Sequence, residues 1–198
     1  TLLASSAASD VYKRQTYENI EIIPHKEPIL LFVGRLDNRS KKLFTLIDIW
    51  YRLCKLYPQW KLIIVGDGPD KDVLINKAKD ISNIEFKGYQ DPREYYEKAS
   101  IFCMTSIFEG FPMCLTEAMQ FGCVPIAFDS FSAVYDIIKP GETGELVKSF
   151  DKKEYVGKLI HLIDDETYRK KLSKNAFQYV KRYDIANILP KWIELIEK

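Results

Sequence analysis

The sequence predicts an α/β protein, a parallel sheet of about six strands with helices on both faces. Two patterns carry that prediction. From Pro28 onward, short apolar runs rich in β-branched residues alternate with amphipathic segments, as in strands joined by crossover helices. Three of the runs end in glycine or just before it, where a strand must turn sharply into the next element. A chain of 198 residues with 46% hydrophobic content is long enough to bury a full core as one large domain.

The elements follow in order. ILLFVG (29–34) reads as the first strand, with a helix from about Lys42 to Leu56 after it. KLIIVG (61–66) is followed by a helix from about Lys71 to Asp80, and NIEFKG (83–88) by a short helix near Arg93 to Lys98. SIFCMTS (100–106) leads to a helix from about Pro112 to Phe121, since proline suits a first helical turn and Gly122 suits its end. CVPIAF (123–128), a turn of helix near Ala133 to Ile137 and a short strand GELV (144–147) complete the sheet. Residues 151–198 read as helical throughout, with LIHLI and IELI as apolar stripes that pack across the sheet.

Residues 1–15, TLLASSAASDVYKRQ, begin without Met and show no periodicity that continues into the fold. They resemble translated adaptor sequence and are set aside; a secretory leader fits less well, because Lys13 and Arg14 follow the apolar part. Residues 16–27 then read as a linker and 28–198 as the domain.

Charge narrows the function. With 29 basic and 28 acidic residues the net charge is +1, so no broad field exists to hold nucleic acid or an anionic membrane surface. An anion site has to be local. Cys54, Cys103, Cys114 and Cys123 lie in apolar runs without a CxxC pair, which points to buried thiols in a reducing compartment and to a cytoplasmic setting. No apolar run approaches the roughly 20 residues needed to span a bilayer, which leaves peripheral membrane contact open.

The local anion site is predicted at SIFEGFPMCLTE (106–117). Glu109 and Glu117 stand eight residues apart, with Gly110, Phe111 and Pro112 between them where a helix should start. Free N–H groups of Phe111, Met113 and Cys114, with the positive end of the helix dipole, favour phosphate. The two carboxylates can accept hydrogen bonds from hydroxyls, so the combination suits a phosphorylated, hydroxyl-rich molecule. A solvated loop carboxylate at 109 and an ion-paired helix position at 117 fit the same spacing, and spacing alone does not separate the two readings.

Other motifs are weighed against this one. After the first strand, GRLDNRSKK offers Gly34 for close backbone approach, with Arg35 and Lys41 as cations at the cleft mouth; a solvated basic loop is the simpler reading if the motif is taken alone. GDGPDK lacks the third glycine of a dinucleotide loop and does not follow the first strand, so its signal for NAD is weak. Gly66 and Gly68 there read as turn residues. Asp70-Lys71-Asp72 is formally a metal-binding DxD, but first-turn carboxylates favoured by a helix dipole explain it more simply. His25 and His161, the two histidines, lie outside the cleft segments. Tyr95, Tyr96 and Phe121 fall at positions expected of packing.

Taken together, VGRLDNRSKK, LIIVGDGPD, FKGYQD, EGFPMCLTEAMQFGCVPIAFD and PGETGELV resemble, in order and spacing, the C-terminal half of family 4 glycosyltransferases. The resemblance runs from about Pro28 to Lys198. It implies the GT-B fold, two Rossmann-like domains of which the N-terminal one binds the acceptor and the C-terminal one the nucleotide sugar, so that this chain would be a donor-binding half and inactive alone. The implied reaction is retaining, metal-independent transfer of a hexosyl group from a nucleotide-diphosphate sugar, UDP-sugar first, to a surface-glycan or lipid-linked acceptor at the inner face of the membrane, with no cofactor. Glu109 and Glu117 match the family's EX7E pair, Glu109 near the transferred sugar and Glu117 on the ribose hydroxyls. Arg35 and Lys41 match the basic residues on the diphosphate, and the amides after Gly110 match its cradle. Two departures stand out: Lys41-Lys42, one residue further from Arg35, replaces the family's Lys-Gly, and Pro112 replaces a common Gly and removes one N–H donor. Alternatives to transfer are a module that binds nucleotide sugar without turning it over, and an NAD-binding Rossmann domain.

Overall fold

The structure, a computed structural model, describes residues 20–196. The expectation for residues 1–15 lies outside the described residues, as do the start of the 16–27 segment and the last two residues of the chain.

A six-stranded sheet, every pair parallel, forms the centre. Its strands are β1 (Glu27–Val33), β2 (Lys61–Val65), β3 (Ile84–Gly88), β4 (Ala99–Met104), β5 (Val124–Phe128) and β6 (Glu145–Val147), in spatial order β3-β2-β1-β4-β5-β6. Between them run α1 (Asn38–Lys41), α2 (Leu43–Leu53), α3 (Lys71–Ala78), α4 (Arg93–Lys98), α5 (Met113–Gln120) and α6 (Val134–Ile137). After β6 come α7 (Lys152–Asp164), α8 (Glu166–Val180), a 3-10 turn (Lys181–Tyr183) and α9 (Ile185–Ile196). The strand order reverses direction between β1 and β4, which makes the gap beyond their carboxyl ends the switch point, the place where open sheets of this kind bind ligands.

Strand alternation builds two cores. Leu30 and Phe32 of β1, with Leu62 and Ile64 of β2, face Leu46 and Trp50 of α2 and Tyr155 and Leu159 of α7. Ile29, Leu31, Ile63 and Val65 of the same strands face Tyr96 of α4 and Leu115 and Met119 of α5. Both faces are therefore covered, which is why these strands read as continuous apolar runs and not as alternating ones. α8 bridges the layers, with Leu172 in the first core and Ala176 and Val180 in the second.

Four differences from the sequence reading have physical causes. β1 starts at Glu27, one residue inside the stretch read as linker, because Lys26 is anchored: its Nζ donates to the carbonyls of Tyr96 (2.8 Å) and Glu97 (3.0 Å) at the end of α4. The helix expected over about Lys42–Leu56 runs from Leu43 to Leu53, and a separate short helix, α1, precedes it, the two divided at Lys42, which takes a left-handed conformation (φ 51°). α5 starts at Met113 and not at Pro112, whose ψ of 97° is extended. The C-terminal run is interrupted at Asp165, a cap that accepts from the N–H of Tyr168, and at Asp184, which is extended (ψ 145°).

Candidate functional site

The cation loop is shaped first. Gly66, just past β2, has φ +140°, and a Cβ there would lie 1.9 Å from the Gly34 carbonyl oxygen. Gly68 is equally confined, with a Cβ placed 2.5 Å from the Leu36 oxygen. The two glycines therefore let the loop after β1 lie against the loop after β2, where the N–H of Leu36 donates to Asp67 (2.9 Å) and that of Asp70 to Leu36 (3.0 Å). Asp70 stands at the start of α3 without capping it; its Oδ2 instead accepts from the N–H of Asn38 (2.7 Å), the first residue of α1. The Asn38 Oδ1 in turn accepts from the N–H of Phe44 (2.8 Å) and ties α1 to α2 across Lys42. Asp67 pairs with Lys71 (2.8 Å). Of the two carboxylates read as a formal DxD or as dipole partners, Asp72 stands in the first turn of α3, where the dipole reading puts it, while Asp70 holds α1 in place.

The loop after β4 is fastened to the same helix. Thr105 Oγ1 donates to the carbonyl of Lys41 (2.8 Å), and the N–H of Ile107 donates to that of Ser40 (2.8 Å). On the other side, Ser130 Oγ donates to the Ser106 carbonyl (2.5 Å). The Ser106 hydroxyl is buried and is without a hydrogen-bond partner among the described residues.

These ties bring Lys41 and Glu109 together over the β1/β4 gap. Lys41 Nζ lies 2.5 Å from Glu109 Oε1, both side chains partly buried. From Glu109 the chain passes Gly110, where a Cβ would meet nothing within 4 Å, and Phe111, whose ring packs edge-on against Tyr183 at 5.3 Å. Pro112 is buried and leads into α5. As at any helix start, the first N–H groups, those of Met113 and Cys114, have no intrahelical acceptor. Burial, with the nearby Glu117 and Glu109 carboxylates adding to it, pushes the Cys114 thiol up to about 12, so this cysteine is a thiol and not a thiolate nucleophile.

Glu117 lies one turn into α5, half-buried. Its Oε2 accepts the hydroxyl of Tyr96 at 3.0 Å. Tyr96 itself is fully buried, as its reading as a packing residue predicts, yet its polar end reaches a candidate site residue. Sequence reasoning missed this contact and the Asp70 and Thr105 ties, and no local spacing signals them. Of the residues singled out, Lys41, Glu109, Gly110, Pro112, Met113, Cys114 and Glu117 follow one continuous path from α1 to α5. Gly34 directly follows β1, its N–H donating to the Val65 carbonyl (3.0 Å). Arg35 is exposed beside it and joins no ion pair among the described residues.

A doubly wound parallel sheet that gathers a cation, two carboxylates and a helix start at its reversal point belongs to the class of α/β proteins that bind ligands beyond the strand ends. Comparison with known proteins is more specific. The sequence model for glycosyl transferases group 1 matches residues 13–179. A Campylobacter jejuni α-1,4-N-acetyl-D-galactosaminyltransferase acting on an undecaprenol-diphosphate-linked glycan is 33% identical over 86% of this chain and 48% of its own length. The Erwinia amylovora amylovoran biosynthesis glycosyltransferase AmsD is 34% identical over 89% of this chain and 50% of its own. Among solved structures, the C-terminal domain of a group 1 glycosyltransferase (LpcC) of Francisella tularensis is 30% identical, with a TM-score of 0.71 over 87% of this chain and 93% of that one. Staphylococcus aureus TarM, 24% identical, shares the fold with a TM-score of 0.83 over 92% of this chain and 38% of that one. The chain belongs to the group 1 glycosyltransferase family, and it spans about half the length of the curated relatives it matches. Among the described residues no helix is long and apolar enough to cross a membrane.

Proposed function

We propose that this chain is the donor-binding domain of a retaining, metal-independent glycosyltransferase that takes a nucleotide-diphosphate sugar, with UDP-sugar first, and that its cleft is the β1/β4 gap. The observation that carries the reading is the Lys41–Glu109 pair set beside the start of α5. In this reading the diphosphate lies over the amides of Gly110, Phe111, Met113 and Cys114, with Arg35 and Lys41 as its cations and Gly34 giving it room. Glu117 meets the ribose hydroxyls and Glu109 the sugar.

The chemistry follows from where charge develops. Breaking the bond between the anomeric carbon and the phosphate oxygen leaves the electron pair on the departing diphosphate, and fixed cations and N–H donors stabilise that charge most where water is excluded. Before the donor arrives, Lys41 and Glu109 neutralise each other. A diphosphate competes for Lys41, and once Lys41 turns to the phosphate, the Glu109 carboxylate is released to orient the sugar and to stabilise positive charge at its anomeric carbon. Acceptors follow from the relatives: a glycan or lipid-linked acceptor, as the name of the Campylobacter enzyme describes for that protein, held by a further domain that the whole protein supplies. On this reading the enzyme works at the cytoplasmic face of the membrane.

Titrating the chain by calorimetry with UDP-, GDP- and ADP-sugars and with NAD tests the proposal. Saturable binding of a nucleotide sugar, strongest for the UDP series, and none for NAD is the expected result; NAD binding without nucleotide-sugar binding would overturn it. A chain that binds the donor but neither hydrolyses nor transfers it acts alone as a binding module.

A further inference from the structure

We infer that Tyr96 is a positioning residue for the donor: its hydroxyl holds the Glu117 carboxylate in the orientation in which it meets the ribose. The inference rests on the reading of Glu117 as the ribose contact and adds the group that aims it.

The phenol is held rigidly from several sides. Its ring is fully buried and stacks on Phe121 (centroids 5.8 Å apart, planes 20° apart), with Phe102 of β4 on another side (6.2 Å, 48°). Glu117 and Phe121 are four residues apart, on one face of α5 and its cap, so one side chain packs on the second position while its hydroxyl reaches the first. The backbone under it is pinned as well. The Tyr96 carbonyl accepts from Lys26 Nζ (2.8 Å) and from Cys123 Sγ (3.2 Å), and Lys26 also reaches the Glu97 carbonyl (3.0 Å). α4 has only six residues and would fray at its end without such ties.

A buried phenol normally finds a hydrogen-bond partner, and a backbone carbonyl would serve the packing equally well. Here the partner is a carboxylate on the neighbouring helix, at 3.0 Å. A carboxylate offers about four lone-pair directions, of which the phenol takes one, on Oε2. A glutamate so held meets its ligand without first losing rotamer freedom, the sense in which a supporting hydrogen bond strengthens binding.

The test is Tyr96→Phe, which keeps the ring, titrated with UDP and with 2′,3′-dideoxy-UDP. We expect the unsubstituted chain to prefer UDP. Tyr96→Phe should weaken UDP by about three- to tenfold, the range of one hydrogen bond, and leave the dideoxy analogue unchanged. Equal weakening of both nucleotides would assign Tyr96 to packing alone and overturn the inference, as would no change in either. Should the unsubstituted chain bind UDP and its analogue equally, the ribose reading of Glu117 itself fails; preference that survives Tyr96→Phe sinks only the positioning role. A second variant guards against a folding defect: on a Glu117→Ala background, Tyr96→Phe should add no further loss of UDP binding, and additive losses would contradict the claim.

Discussion

Lys41 and Glu109 are partly buried, with 21% and 13% of their side chains exposed, so water screens their attraction less than at an open surface. Removing one partner leaves the other charge behind. Lys41→Ala should therefore weaken UDP binding by at least about tenfold, because it deletes a cation and exposes the diphosphate to the Glu109 carboxylate; calorimetry reads this directly. The raised Cys114 thiol leads to a second outcome. With ionisation delayed to about pH 12, iodoacetamide should alkylate Cys114 slowly at pH 8 and faster only as the pH rises well beyond the ordinary thiol range, which peptide mass mapping would follow. At this scale the sequence was informative where contacts are local. Glu109, Glu117 and the α5 start sit within one short stretch, so a linear pattern can offer them together as candidates. Tyr96 and Asp70 reach partners 21 and 32 residues away, and nothing in a linear pattern encodes that distance.

α1 has four residues, too few to give a periodic signal, and its place is set by side chains outside it. Asp70 takes its first N–H and Thr105 bonds its last carbonyl, that of Lys41, and that of the cap residue Lys42. Asp70→Ala should leave Asn38 without its acceptor, loosen the helix that carries Lys41, and weaken UDP binding by a few fold although Asp70 has no place on the ligand; the fold should persist, as judged by circular dichroism. The break at Lys42 was hidden for a related reason. A non-glycine residue at φ 51° is costly, and only the Asn38 bond to Phe44 and the Thr105 bond to the Lys41 carbonyl reveal why it is kept. The strands, in contrast, were legible to within two residues at each end, because burial on both faces writes β1, β2, β4 and β5 as largely apolar runs, and the half-buried β3 is marked by its glycine end.

Over the whole molecule, the two cores fix the sheet and the sheet fixes the site. Trp50, fully buried under β1 and β2 with its Nε1 donating to the Ser82 carbonyl (3.1 Å), is central to one of them. Trp50→Ala should cost about 3–5 kcal/mol of stability, seen as a lower urea midpoint, and UDP should recover part of it by binding the folded state. The strand order, not visible in the sequence, is what makes the β1 and β4 loops neighbours, and thereby places Lys41 against Glu109. A crystal structure of the chain with UDP tests the central claim most directly. The account predicts the diphosphate within hydrogen-bond distance of the Met113 and Cys114 amides, Lys41 turned from Glu109 to a phosphate oxygen, and Glu117 on the ribose. UDP bound elsewhere, with the Lys41–Glu109 pair intact, would contradict it.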